Sequence, residues 1–324
     1  MVTAPAEPDV LVISRVVLDS FEGPPPHEVL GGSGFWAAVG AATVADGVAL
    51  TCRVGEDFEP HRRTMERLGI DTGALLVDGP TTPRTLITYP VGEHRHEEWL
   101  PDWAGHVAMR TMHPEGPEPA RSARAYYVFR DHHPGFWQPV LDHVRVTGTP
   151  LMWEIPGRLC VPEPSSETLT VLAATDVLSI NAEEADALVG PLSPVETVAA
   201  LRALGPDVVA LRRGGAGSVV ADATGAWEVS PADVTVVDPT GGGNAWSGAF
   251  LAAWVRDHDV PAAAVAATGA AAAAIERTGP PVDRRTARQR AAALAATVTV
   301  RPLPSGPQPQ SQPQPSTTRP GDTR

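Results

Sequence analysis

The sequence predicts an α/β protein built on a mostly parallel sheet with helical crossovers, and two observations carry that prediction. Short runs of β-branched and aromatic residues recur as DVLVIS (9–14), VALTCRVG (48–55), AYYVF (125–129), PLMWEI (150–155), DVLSI (176–180) and DVVALRR (207–213). Between them lie helix-period segments, among them DFEPHRRTMERLG (57–69) and SPVETVAALRALG (193–205), and this strand-then-helix alternation marks crossovers.

Taken in order, the first strand leads through a proline-rich stretch to GGSGFWAAVGAATVAD (31–46), a glycine turn opening a helix. Residues 81–100, TTPRTLITYPVGEHRHEEWL, break the rhythm: they alternate like strands around a VGE turn, with no helix to follow. They predict a projecting hairpin. GSVVADATGAWEVSP (217–231) predicts a second hairpin, and VTVV (234–237) reads as a strand feeding the glycine turn of DPTGGGNAW. Two alanine-rich helices, 262–279 and 283–298, close a single domain spanning 9–300, and the Pro, Gln and Ser-rich residues 301–324 read as a disordered tail.

Composition excludes several functions. The chain has 324 residues, 43% of them hydrophobic, and a formal charge of −13, which argues against nucleic acid or an anionic membrane as partner. There is no lysine at all. A Walker A loop, a protein-kinase strand lysine and a Schiff-base mechanism are therefore excluded. Cys52 and Cys160 fit no metal or redox spacing and read as reduced packing residues. The start MVTAPAEPDV has no export-signal pattern, so a cytoplasmic protein is expected.

Ligands of an open parallel sheet bind outside the carboxyl ends of its strands. Four such places carry polar or glycine residues: Asp19 with Gly31 and Gly32; Glu154 and Arg158; Asn181 and Glu184; and Asp238 with Gly241, Gly242, Gly243 and Asn244. The three glycines expose consecutive amides at a helix mouth, where an anion binds, although glycines also serve tight packing there. Asn181 and Glu184 stand three apart, so the carboxylate can hold magnesium through water. The same pair also makes a good helix cap. His94, His96 and the DHH run (131–133) lack a metal-site pattern.

Together these segments resemble the ribokinase superfamily, the PfkB carbohydrate kinases, over roughly residues 9–295. DPTGGGNAWSGAF resembles the second signature of that family, NAEE its N-x-x-E magnesium motif, and GGSGFWAAVGAA with RVGEDF its first signature. EIPGR (154–158) is similar to a D-P-N-x-R segment, and RRGGAG (212–217) to the nucleotide-phosphate loop. Nearer still is the divergent fungal maintenance-of-killer branch, which shares the W-E-P-like segment (here WEIP) and D-P-T-G-G-G-N.

The resemblance implies a three-layer α/β/α fold with a mostly parallel central sheet and a small β lid, into which the 81–100 hairpin falls. It implies transfer of a phosphoryl group from ATP, with Mg2+, to a hydroxyl of a sugar, nucleoside or related metabolite. Glu184 would serve the metal, and Asn181, Arg212, Gly214 and Gly217 the nucleotide. Asp19, Gly31, Gly32, Trp36, Glu154 and Arg158 would serve the acceptor, with Arg84, Tyr89 and Arg95 as specificity contacts on the hairpin or solvated edge residues. Lids of this family often pair into homodimers.

Asn244 stands where the family places a catalytic aspartate, and an amide has no useful basicity near neutral pH. Either Asn244 orients the hydroxyl through Oδ1, the proton going to the phosphate, water or Asp238, or it caps its helix and transfer is lost. That second outcome would leave a metabolite-binding protein, or an enzyme reusing the site for another reaction. Trp36 replaces an asparagine of the first signature, and its flat indole either stacks on a ring-bearing acceptor or packs in the core.

Overall fold

The computed structural model describes residues 7–21, 27–88, 96–99, 122–132 and 134–304. Its centre is a sheet whose parallel part runs β13 (Val208–Arg212), β12 (Val177–Asn181), β11 (Leu151–Glu154), β10 (Tyr126–Val128), β1 (Val10–Ile13), β4 (Val48–Thr51) and β6 (Ile70–Asp71). Beyond β13 three antiparallel strands extend it: β14 (Ser218–Ala221), β15 (Ala226–Val229) and β16 (Val300–Pro302).

Alternation decides what each face of this sheet holds. Val10 and Val12 of β1 join the core with Tyr127, Met152, Val177, Val208 and Ala210, under α1 (Ser33–Ala42), α7 (Gly242–Asp257) and α8 (Val260–Ile275). Leu11 and Ile13 join the opposite core with Tyr126, Trp153, Leu178 and Leu211. The helices on that face include α3 (Pro134–Thr147), α4 (Ser166–Ala173), α5 (Ala182–Val189) and α6 (Pro194–Arg202). Burial on both faces is why the strands read as continuous apolar runs. The expected three-layer α/β/α architecture is thus the one observed. Cys52 and Cys160 are buried and unpaired, and burial pushes the Cys52 thiol up to about 12.

The lid is a separate sheet in the order β3 (His27–Gly31), β2 (Val17–Phe21), β8 (Arg84–Thr88), β9 (His96–Trp99). The expected hairpin is its β8–β9 half, paired Thr85 to Trp99 and Thr88 to His96. Its other half, β2 and β3, makes the lid larger than the sequence suggests, because the proline run (24–26) between them masks the strand pattern. Tyr89, His94, Arg95, His133 and the tail from 305 lie outside the described residues.

Two expectations need correction. VTVV (234–237) is not a strand: Val236 and Val237 are exposed, and the amides of Val237 and Asp238 bond to Ile275 O at the end of α8. The sheet edge they would have joined is taken by β16, whose Val300 pairs with Val229. For the same reason the domain does not stop at 300: the Leu303 amide donates to Ala226 O.

α7 and α1 touch backbone to backbone. A Cβ on Gly40 would lie 1.9 Å from Ala245 O, and one on Gly248 would lie 2.0 Å from Ala37 O. Small residues at both crossings bring the two helices together and fix where the first turn of α7 sits. Gly40→Ala or Gly248→Ala forces the helices apart and is expected to cost about 1–3 kcal/mol of stability, read as a lower urea midpoint with little change in slope.

Candidate active site

The first turn of α7 borders a small cleft of about 90 Å³, lined by Arg15, Val17, Asp19, Gly32, Ser33, Trp36, Phe129, Thr240, Gly241 and Asn244. The lid strand β2 lines it as well, supplying Val17 and Asp19. Asp19 is 2% exposed, and its Oδ1 accepts a hydrogen bond from Thr85 Oγ1 at 2.5 Å. Gly31 is required beside it, since a Cβ there would fall 1.9 Å from Asp19 Oδ2.

Each glycine of the turn has a packing reason. Gly241 is left-handed (φ 76°), and a Cβ on it would meet the Trp36 ring at 2.1 Å. On Gly242 a Cβ would meet Ile275 at 2.7 Å, and on Gly243 it would meet the Arg212 guanidinium at 2.2 Å. The Gly242 amide bonds to Pro239 O (3.2 Å), while those of Gly243 and Asn244 find no acceptor outside the helix among the described residues, as expected of a helix start. That mouth fits an anion. Asp238 shapes the turn, its Oδ1 accepting from the Thr240 amide at 3.0 Å.

Beneath the turn lies a buried polar network that strand parity assembles. Tyr127, Glu154 and Arg212 all point to the sheet face that α7 covers. Glu154, 3% exposed, accepts from Tyr127 OH through Oε2 (2.7 Å), and through Oε1 from Arg212 Nη2 (3.0 Å) and Asn244 Nδ2 (3.0 Å). Asn244 Nδ2 also lies 3.4 Å from Tyr127 OH. Burial, and then the Glu154 carboxylate, hold the Tyr127 hydroxyl well above its usual value, so it stays a donor. Next to this network Ser179 and Ser247 share a buried hydrogen bond of 2.8 Å that ties α7 to β12.

Asn181 and Glu184 form a reciprocal capping box on α5: Asn181 Oδ1 accepts from the Glu184 amide and Glu184 Oε2 from the Asn181 amide, each at 2.9 Å. Burial pushes the Glu184 carboxyl up, against the pull of the Asn181 amide and Arg212. The box uses Oε2 and leaves Oε1 over Gly157, an oxygen ligand of the type Mg2+ takes. The loop after β13 is open, with no atom within 4 Å of a Cβ on Gly214 or Gly215, while Gly217 (φ 79°) packs on Val229 O. Among the described residues no group of three or more His, Cys, Asp or Glu is placed to hold a metal.

Three expected contacts sit elsewhere than in the open cleft, and a fourth only borders it. Arg84 lies on the lid strand one residue from Thr85, so the alternation that sends Thr85 to Asp19 sends Arg84 to the other face. There it bonds Glu28 (2.7 Å), Asp57 (2.8 Å) and Thr82 O (2.9 Å). Arg158, with a side chain 60% exposed, pairs with Asp131, and Glu154 lies beneath the floor. Trp36 is only 3% exposed, with its ring against Gly241, so it offers the cleft an edge and no free face for stacking. Arg15 and Phe129 line the cleft although no motif points to them, and both follow a strand, where position alone is the signal; Ser33 and Thr240 also line it, inside the two glycine motifs but not among the residues expected there.

The sequence pattern of the pfkB family carbohydrate kinases matches residues 18–287. This chain belongs to that family. A curated relative, the nucleoside kinase of Methanothermobacter thermautotrophicus, is 26% identical over 235 residues, 71% of this chain and 73% of its own. Among solved structures, a ribokinase-type protein of E. coli in complex with ATP and Mg2+ aligns with a TM-score of 0.71 at 19% identity, over 87% of this chain and 99% of its own. A Burkholderia thailandensis nucleoside kinase in complex with inosine aligns with a TM-score of 0.69 at 20% identity, over 89% and 96%. The pfkB-family chain described here shares its fold with both.

Thr85 is the lid residue that fixes Asp19. Thr85→Val removes the Thr85 hydroxyl from the buried Asp19 carboxylate and is expected to destabilise the protein by about 0.5–1.5 kcal/mol, with Thr85→Ser recovering most of the loss in thermal melts.

Proposed function

We propose that this pfkB-family protein is an ATP-dependent small-molecule kinase that transfers the γ-phosphoryl group to a hydroxyl of a sugar, nucleoside or related metabolite. One observation carries the reading: a hydroxyl-binding carboxylate, Asp19, lines the same cleft as the amide-rich first turn of α7. The first holds vicinal hydroxyls and the second holds a phosphoryl group. The likeness to the fungal maintenance-of-killer branch rests on WEIP and DPTGGGN and belongs to this proposal, as do a cytoplasmic setting and a homodimer formed through the lid.

Asp19 holds the acceptor by charge-assisted hydrogen bonds, and Thr85 keeps its carboxylate in place. Asn244 accepts the hydrogen bond of the reacting hydroxyl through Oδ1, since Nδ2 is occupied by Glu154 and Tyr127. The Gly243 and Asn244 amides stabilise charge on the transferring group. The acceptor oxygen bonds to the γ-phosphorus as the bridging oxygen leaves with ADP, and the hydroxyl proton goes to the transferred group or to water. Glu184 Oε1 and the open 214–217 loop are the places for metal and nucleotide phosphates; Mg2+ supplies neutralisation of phosphate charge there. Arg212, expected on the phosphates, is committed to Glu154 through Nη2.

Ring-bearing acceptors are favoured by Phe129, half-buried in the cleft wall, which takes the stacking role expected of Trp36. Phe129→Ala is expected to weaken binding of a nucleoside by about tenfold while leaving ribose within about twofold, in keeping with roughly 1–3 kcal/mol per stacked base; calorimetry with both ligands reads the difference.

The enzyme reading is tested by Mg2+-dependent ADP formation over a panel of sugars and nucleosides. Asp19→Asn is expected to raise the acceptor KM by roughly 10- to 100-fold, as loss of a charged hydrogen-bond partner does, with a smaller change in kcat. A second reading, a nucleotide- and metabolite-binding protein without turnover, is favoured by the missing base at Asn244. ATP binding with no ADP from any acceptor would select it.

A further inference from the structure

Position 244 lacks a negative charge, yet the site does not. A carboxylate lies 3.0 Å from the Asn244 amide nitrogen, on Glu154 at the end of β11. Glu154 is buried, does not line the cleft, and is surrounded by donors from three elements: Tyr127 on β10, Arg212 on β13 and Asn244 on α7. An ionised carboxylate only accepts hydrogen bonds, whereas a primary amide has a donating end and an accepting end. Glu154 therefore fixes which end of Asn244 points down. The Tyr127 hydroxyl donates to Glu154 Oε2, so toward Asn244 it also presents a lone pair. Both neighbours select the same orientation, and Asn244 Oδ1 is left toward the cleft that Asn244 lines.

We propose that Glu154 is a positioning residue that locks the Asn244 amide with its oxygen toward the acceptor hydroxyl, and that the Glu154–Asn244 pair is a charge exchange: the carboxylate has moved beneath the floor and an amide faces the substrate. This rests on the kinase reading and names the residue that makes asparagine workable there. It also specifies why aspartate at 244 does not fit this chain. Its carboxylate would stand against Glu154 Oε1, acceptor to acceptor, with Arg212 as the cation shared between them. Glu184 on α5 and Asp19 on the lid add further negative charge nearby, and Arg15 adds the other positive group of the cleft wall.

The test uses Asn244→Asp, Glu154→Gln and the double variant in the full chain. In the double variant the glutamine keeps the shape of Glu154 and can turn its amide to donate to the introduced aspartate, restoring one donor and one acceptor in reversed order. Asn244→Asp alone is expected to be no faster than the wild type, and the double variant at least tenfold faster in kcat than Asn244→Asp, with the KM for ATP within about threefold. Glu154→Gln alone removes the charge that orients the amide, and is expected to lower kcat by about tenfold or more with the same limit on KM.

Melting read from pH 5 to 8 checks the pair without turnover. The carboxyl introduced by Asn244→Asp, half-buried and held against the Glu154 carboxylate, binds its proton more tightly folded than unfolded, so its stability is present at low pH and lost as pH rises. Asn244→Asp should therefore melt progressively lower than wild type toward pH 8, and the double variant should not. A measurable but equal kcat for Asn244→Asp and the double variant, or a pH-independent melting difference, overturns the proposal. Melting behaviour as expected with no ADP from any form would instead sink the kinase reading and leave the pair standing.

Discussion

The site depends on one buried carboxylate having enough donors. Glu154 sits beneath the mouth of α7, where an unpaired charge would be strongly destabilising, and Tyr127, Arg212 and Asn244 together satisfy it. Other features follow from that arrangement. Arg212 is drawn under the glycine turn, so a Cβ at position 243 would push its guanidinium aside. Glycine at 243 thus leaves the Arg212 guanidinium in its place. Tyr127 stays protonated, and Asn244 acquires a fixed orientation that an amide at a free helix start would not have.

Much of the fold is legible because parallel strands buried on both faces leave a plain pattern of short apolar runs between helices. The reading fails where a hydrophobic run is not what makes a strand. VTVV has the composition of one, but β16 already occupies the available edge and the run is spent on hydrogen bonds to the end of α8. β2 and β3 are hidden for the opposite reason, their strand pattern being short and interrupted by prolines. Tertiary pairing decides both cases.

Within the site, sequence reasoning finds the residues that lie in motifs and misses those placed by parity. Asp19, Gly32, Gly241 and Asn244 come together in the cleft as the motifs imply. On the lid strand the eye goes to Arg84, the charged residue, yet the neighbour with the hydroxyl faces Asp19. Which face a strand presents follows only from its register, here Asp19 beside Thr85, and register is a property of two segments distant in sequence. The capping box at Asn181 and Glu184 shows that two readings of a motif are compatible, since one carboxylate oxygen caps the helix and the other has no hydrogen-bond partner among the described residues.

The contact of α1 with α7 has a wider consequence. Gly32 and Ser33 at the head of one helix and Gly241 and Asn244 at the head of the other border the same cleft, and the two helices interlock at Gly40 with Ala245 and at Ala37 with Gly248. Half of the cavity is thereby set on one interlocked block, since an added methyl group at Gly32, Gly40 or Gly248 collides with main chain. The lid is tied to this block as well, through Leu18 and Leu30 in the same core and through Arg84 to Asp57.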